Sequence, residues 1–292
     1  VVCRLLLPAN AMPSNDVAVA YLHRNQVGHN FMQSLLGAYM HDVGSGASRL
    51  NSYMAMRANS SGPTDARNEV ATEFLASDDE WLWWLDDDMG FPADALHKLL
   101  KAADPTERPI VGALCFAWKE LALDGMGGYH CAVRPTIYDW VEHPDGHKRF
   151  TGKVDYPSNE LIQVAGTGSA CIVIHRSVFE GIAAQYEEDP RRGQPYDRIR
   201  GSDGLPLGED ISFCVRAAGL GHPIYVHTGV QTNHLKELWV SEATYQQEKI
   251  LSVALEQMGV EQDAPDQPTD MPGTVELDLP KPNRAARRAN KK

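Results

Sequence analysis

Apolar positions along the chain alternate between short continuous runs and helical spacings. Residues 2–7, VCRLLL, predict a first strand, which Pro8 stops before the loop NAMPS. Phe31, Leu35, Leu36 and Tyr39 can share one face of a helix around 29–40. SYMAMR at 52–57 predicts a second strand. Thr64 is placed to cap a helix through DARNEVATEFLA, with Val70, Ala71 and Phe74 on its packing side. WLWWL at 81–85 is the continuous run of a strand buried on both faces. Pro92 falls in the first turn of a helix whose apolar face is Leu96, Leu99 and Leu100, and PIVGALCF at 109–116 predicts the next strand.

Residues 119–158 break this rhythm with Gly, Pro, Asp and aromatic residues, which suits a short hairpin, a mobile loop over a site or a plain surface excursion. The pattern returns in LIQVAGTGSACIVIHRSVFEGI as strand, turn, strand and short helix. GEDISFCVRAAGLGHPIYV then predicts a helix from about Asp210 and a strand near 223–226. A last helix is expected over 241–258, with Ile250, Val253, Ala254 and Met258 available for packing. Strands and helices repeating at this spacing predict an α/β fold with a mostly parallel, doubly wound sheet. Ligand chemistry in such sheets gathers beyond the carboxyl ends of the strands.

With 43% hydrophobic and 23% charged residues, a wholly disordered acidic chain is excluded. The net charge of −12 argues against a general nucleic-acid coat protein, although a focused patch can outweigh net charge. The charge is unevenly spread: residues 281–292 carry six Lys/Arg and no acid, which leaves residues 1–280 with 21 basic and 39 acidic residues, a net −18. From about 261 the chain is a poor core former. A flexible tail over 261–292 is expected, whose basic end contacts phosphates or an acidic surface or is simply solubilising. Five scattered cysteines without a CxxC pair support neither structural zinc nor a disulfide framework. No apolar stretch reaches the roughly 18 residues of a membrane helix, and no basic leader precedes a hydrophobic segment. A cytoplasmic protein is expected on that reading.

The candidate chemistry begins where WLWWL should end. Asp86, Asp87 and Asp88 repel one another unless solvent, protonation or a cation offsets their charge, and a hard divalent ion does so well. Periodicity alone does not place Asp86 and Asp88 in one crevice. Arg67 offers a planar donor fork for a phosphate or a nucleobase carbonyl, with the Asn68 amide beside it, or makes a helix-start salt bridge. Gly166, Thr167, Gly168 and Ser169 form a turn that permits close ligand approach or merely tight packing, and they lack the surroundings of an ATP-binding phosphate loop. Glu209 and Asp210 open a helix, where acids are commonly caps.

The Pro8-containing loop, DARN at 65–68, WWLDDDMGFP at 83–92, VAGTGSACIVIHRSVFE at 164–180, GED at 208–210 and TNH at 232–234 follow in order over most of residues 2–236. In this series the chain resembles a family 2-like glycosyltransferase of the GT-A type, in which a Rossmann-like sheet flanked by helices carries a smaller acceptor-side region. The resemblance implies one such domain over 1–260, with the donor part over about 1–118 and the acceptor part over about 119–260. It makes Asp86-Asp87-Asp88 the DxD motif. Asp88 would coordinate Mn²⁺ or Mg²⁺ on the donor diphosphate, Asp86 would approach the ribose or the metal's water shell, and His234 would complete the coordination, with His222 and His227 as substitutes. Pro8, Ala9 and Asn10 would shape the base pocket. The GTGS turn would lie beside donor sugar and acceptor. Asp210 would be the general base of an inverting transfer, with Glu209 orienting the acceptor.

The implied activity is metal-assisted transfer of a sugar from a nucleotide-diphosphate sugar, UDP favoured and GDP open, to a hydroxyl acceptor: a carbohydrate, a small metabolite, a protein side chain or a modified nucleobase. The chain is also similar to glycosyltransferases of actinobacteria and their phages, and if phage-encoded it would act in the host cytoplasm. Two other readings stay open. One is a nucleotidyltransferase or sugar-nucleotide pyrophosphorylase, although the Gly-rich basic loop it needs is missing after Pro8. The other is a noncatalytic sugar- or nucleic-acid-binding module.

Overall fold

The computed structural model describes residues 16–236 apart from residue 47, 58–61, 123–128, residue 145, 186–193 and 202–203, together with scattered positions between 242 and 253; side chains at 57, 119–122 and 129–132 are left aside. The strand expected at 2–7, the pocket residues Pro8, Ala9 and Asn10, most of the helix expected at 241–258 and the tail from 261 lie outside the described residues. Contacts divide the chain into two units, Val1–Lys236 and Glu237–Lys292. Every element named below belongs to the first.

The elements are β1 Val17–His23, α1 His29–Gly44, β2 Leu50–Arg57, α2 Pro63–Leu75, β3 Trp81–Asp86, β4 Met89–Gly90, α3 Ala95–Ala102 and β5 Ile110–Leu114. There follow β6 Phe116–Ala122, β7 Tyr129–Pro135, β8 Ile137–Glu142, β9 Lys148–Gly152, β10 Leu161–Val164, β11 Gly166–Thr167 and β12 Cys171–His175. The unit ends with α4 Arg176–Gln185, α5 Glu209–Gly219, β13 Ile224–Gln231 and β14 Asn233–His234. Among the described residues no helix is long and apolar enough to cross a membrane.

Seven strands form the central sheet in the order β10-β13-β5-β12-β3-β1-β2. The sheet is mixed, which corrects the expectation of a mostly parallel one. β1 pairs parallel with β2 and β3, and β13 parallel with β5, but β12 runs antiparallel to both β3 and β5, and β10 antiparallel to β13. The reason lies in the connection. A parallel return needs a crossover, usually a helix, whereas between β5 and β12 the described residues form the strands β6 to β11 and no helix. With Cys171 opposite Leu85 and His175 opposite Trp81, β12 starts at the end where β5 leaves off, and β10 enters the sheet edge from that same end.

Alternation across β1 and β3 divides the core into two layers. Val17, Val19, Tyr21, Trp81, Trp83 and Leu85 pack with Phe31 and Ala38 of α1 and with Leu96 and Leu99 of α3. Ala18, Ala20, Leu82 and Trp84 face Val70 and Phe74 of α2, Phe179 of α4 and Phe213 of α5. The two faces of each strand thus serve different helices, which is why these strands read as continuous apolar runs. β1 lies outside every segment that the sequence pattern predicts as a strand. VAVAYL is nonetheless a continuous apolar run, buried over 17–21 and paired on both edges with β2 and β3.

Local details depart from the pattern in three places. Leu36 faces outward from α1 with 58% exposure, while Ala38 takes a buried place. α2 starts after Gly62 with no side-chain cap, so Thr64 lies inside the helix. Residues 119–158 form more than one short hairpin: β6 pairs with β7, and β8 lies between β9 and β11 in a separate three-stranded sheet.

Candidate functional site

The acids sit at the carboxyl end of β3. Asp86 closes that strand, and Asp87 and Asp88 make the turn into β4. β4 pairs antiparallel with β14, so that His234 lies opposite Met89 and next to the acidic turn. The Asp88 and His234 side chains meet at 3.0 Å between Oδ2 and Nε2, and the Leu235 amide donates to the Asp88 carbonyl at 2.9 Å. On its other side the His234 ring donates from Nδ1 to the Phe116 carbonyl at 2.7 Å. A carbonyl and a carboxylate can only accept, so each ring nitrogen donates, Nδ1 to Phe116 and Nε2 to Asp88, and Nε2 becomes free for an ion on losing its proton.

Lys236 adds a second cation to Asp88 Oδ2, at 2.9 Å. Burial alone would raise the Asp88 pKa, but His234 and Lys236 outweigh it and hold the carboxyl below its ordinary value. For His234 burial works against the charge, and its bonds to Asp88 and Phe116 raise the imidazole pKa overall. Asp87 moves the other way: burial and the neighbouring Asp88 and Asp86 charges raise its pKa. Its carbonyl accepts from the Gly28 amide at 3.1 Å, which joins the loop after β1 to the acidic turn.

The pair fits a divalent ion in chemical type. It offers a carboxylate oxygen and an imidazole nitrogen whose opposite N–H is pinned by a backbone carbonyl, the usual outer support of a ligating histidine. Among the described residues no group of three or more His, Cys, Asp or Glu is positioned to hold a metal. An ion here would take its remaining ligands from water or from a bound phosphate, which is the ordinary situation for Mg²⁺. On the side of α1 and α3, a cleft of about 910 Å³ is bordered by Asp88 and His234 and by the amide side chains of Asn30, Gln33, Gln231 and Asn233.

Asp86 turns away from this pair. Its Oδ1 accepts from Arg67 Nη2 at 2.9 Å, so the structure brings Asp88 and His234 together and gives Asp86 to α2. Arg67 is buried, its side chain 5% exposed, with its guanidinium carbon 4.9 Å from the Trp84 ring centre and 5.8 Å from that of Tyr196. Burial opposes its charge, but Asp210 and Asp86 prevail and raise its pKa. Asn68 is also committed internally, donating to Asp197 Oδ1 and accepting from the Tyr196 amide, both at 2.9 Å.

Gly208 precedes α5, and Glu209 and Asp210 form its first turn without a side-chain cap bond. Asp210 Oδ1 lies 3.7 Å from Arg67 Nε. The GTGS turn is beside it. Thr167 is buried and donates its hydroxyl to the Thr136 carbonyl at 3.1 Å. A Cβ on Gly166 would come within 3.1 Å of Phe150 and 3.2 Å of Ile211, whereas one on Gly168 would stand 3.8 Å from Asp210 Oδ2. Gly166 therefore serves packing, whereas a side chain at Gly168 would meet Thr136 and the Asp210 carboxylate at ordinary contact distance.

Sequence reasoning missed β1, Lys236, Tyr196 and the Phe116 carbonyl. Lys236 had a signal, since residues two apart on an extended strand share a face. Tyr196, in a polar stretch, had none.

No protein-family model matches the chain, and no curated protein matches it in sequence. The structure of A197 from STIV is 15% identical over 76% of this chain and 86% of that one, with a TM-score of 0.40. The structure of GalNAc-T7 with UDP, GalNAc and Mn²⁺ is 11% identical over 84% of this chain, with a TM-score of 0.47; the chain spans half of that protein's length. Both likenesses are weak.

Proposed function

We propose that the chain is a metal-assisted glycosyltransferase that takes a sugar from a nucleotide-diphosphate sugar, UDP favoured, and passes it to a hydroxyl acceptor. The observation that carries this reading is the pairing of Asp88 with His234 at the carboxyl end of β3, with His234 Nδ1 bonded to the Phe116 carbonyl. Asp88 and His234 would hold Mn²⁺ or Mg²⁺, which when bound neutralises charge on the nucleotide leaving group. Asp86 and Asp87 would line the donor side, and residues up to about 118 the donor part of a domain reaching 260. Pro8, Ala9 and Asn10 are kept as candidates for the base pocket.

Asp210 would accept the proton of the acceptor hydroxyl, and Glu209 would orient that acceptor. Support for this assignment comes from the place of the Asp210 carboxylate beside the GTGS turn, where a Cβ on Gly168 would meet Oδ2 at 3.8 Å. The hairpins within 119–158 and the segment after α4 are where acceptor choice would reside.

A panel of UDP, GDP, CMP and dTDP sugars with Mn²⁺ tests the proposal, scoring binding and donor hydrolysis with Asp88→Ala in parallel. Turnover of one donor, abolished by the substitution, is expected. Failure of every donor to bind or react would overturn the reading. Release of pyrophosphate from a nucleoside triphosphate and a sugar phosphate would replace it with nucleotidyl transfer.

A further inference from the structure

Arg67 stands between the two acidic foci. It ion-pairs with Asp86 at the end of β3 and with Asp210 at the start of α5, at 2.9 and 3.7 Å. Its Nε and Nη1 atoms and Asp210 Oδ1 are buried and have no hydrogen-bond partner among the described residues. Leaving charged groups buried in this way is costly, so such an arrangement calls for a reason other than stability. The guanidinium packs beside Trp84 and Tyr196, and Asn68 on the same helix holds the Tyr196 backbone.

The consequence falls on Asp210. Its side chain is 27% exposed, yet Oδ1 is fully buried toward Arg67. Exposure is left to the side of Oδ2, next to Gly168. We infer that Arg67 is a positioning residue: it fixes the Asp210 carboxylate so that Oδ2 alone faces the acceptor, and it ties that carboxylate to Asp86 on the donor side. The inference rests on the proposed transfer reaction. In that reaction the acceptor oxygen forms its bond to the sugar C1, and the C1–O bond to the diphosphate breaks with its electron pair leaving on the nucleotide. The acceptor's proton passes to Asp210 Oδ2. Arg67 touches none of these atoms.

The test compares wild type, Arg67→Ala, Arg67→Lys and Asp210→Asn in hydrolysis of a UDP sugar, with Mn²⁺ and UDP as the binding probe. Arg67→Ala is expected to lose about 100-fold in kcat, the scale of a misplaced reacting group. Its KM and UDP binding should stay close to wild type, and added guanidinium ion should restore part of kcat. A raised KM with unchanged kcat would overturn the inference, since Arg67 would then bind the donor itself. So would loss of kcat that guanidinium does not relieve in a variant that still folds. If Arg67→Ala fails to fold, Arg67→Lys decides: it keeps the charge without the fork, and an unchanged kcat would sink the proposal.

Urea unfolding provides a readout independent of activity. Arg67→Lys and Asp210→Asn together should change the folding equilibrium constant at least several-fold less than the product of their separate effects. Additive effects would remove the coupling on which the inference stands, even with transfer established. Coupling in a protein that neither binds UDP nor turns over any donor would leave the strut intact and overturn its role in transfer.

Discussion

Asp88 and His234, 146 residues apart in the chain, meet at 3.0 Å because β4 and β14 pair across the end of the sheet. The contact places a carboxylate oxygen against an imidazole nitrogen at the edge of a cleft. Their partners separate two roles: Phe116 orients the ring, and Lys236 competes for the carboxylate.

From this arrangement, His234→Ala and Asp88→Asn should each weaken Mn²⁺-dependent binding of UDP by about tenfold or more, the scale of losing support at a metal site. Lys236→Ala should do the opposite and tighten Mn²⁺ binding, because it removes a cation from the Asp88 oxygen. Titration calorimetry with Mn²⁺ and UDP checks both directions. Equal weakening by all three substitutions would mean that Lys236 belongs to the ligand site.

The two glycines of the GTGS turn should respond differently. Gly166→Ala presses a methyl group against Phe150 and Ile211, and overpacking of this kind costs about 1–3 kcal/mol. Gly168→Ala meets only ordinary contacts, so it should fold normally while crowding Asp210 Oδ2 and slowing transfer. Urea unfolding beside a donor-hydrolysis assay separates the two effects. A stable Gly166→Ala protein would show that the packing there yields.

Arg176 closes the end of α2 from another part of the chain. Its guanidinium donates to the carbonyls of Phe74, Leu75, Ser77 and Asp79 at 2.6–3.1 Å. A lysine cannot reach four carbonyls at once, so Arg176→Lys should destabilise the fold by about 2 kcal/mol with no change in ligand binding. A melting temperature equal to wild type would contradict this account.

Stability should fall on mild acidification. Burial lowers the pKa of His175, His222 and His227 below the ordinary histidine value. As pH drops below about 6.5, the unfolded chain takes up these protons first. The contribution of these three histidines is therefore constant above that pH and declines until the lower folded values are passed, while His234, whose pKa is raised, works in the opposite sense. Comparing the melting temperature at neutral pH with that between pH 5 and 6 measures the loss, and His222→Gln should reduce it. An unchanged pH dependence in the variant would exclude His222 as a source.

Much of the fold was legible because it rests on local pattern. The runs in β3, β5 and β12 and the apolar faces of α2, α3 and α5 are visible in single stretches of sequence. β1 was missed although VAVAYL is a run of the same kind, and its two edges show only in the pairing with β2 and β3. The direction of β12 was equally hidden, because it depends on whether the preceding excursion crosses the sheet. In the site, the clustering of acids at the end of a strand was readable, and so was the candidacy of His234 and Asp210.

What the sequence determined by itself is the set of chemical groups and the strand ends that carry them, because strand and helix periodicity is local. Only the tertiary structure decided their partners. Asp88 goes to His234 and Asp86 to Arg67, although the two acids stand in one short run, because neighbouring residues of a turn can point to opposite sides of a sheet edge. A pairing across 146 residues and the burial of a cation between two acids depend on how layers close, and no short stretch of the chain contains that information.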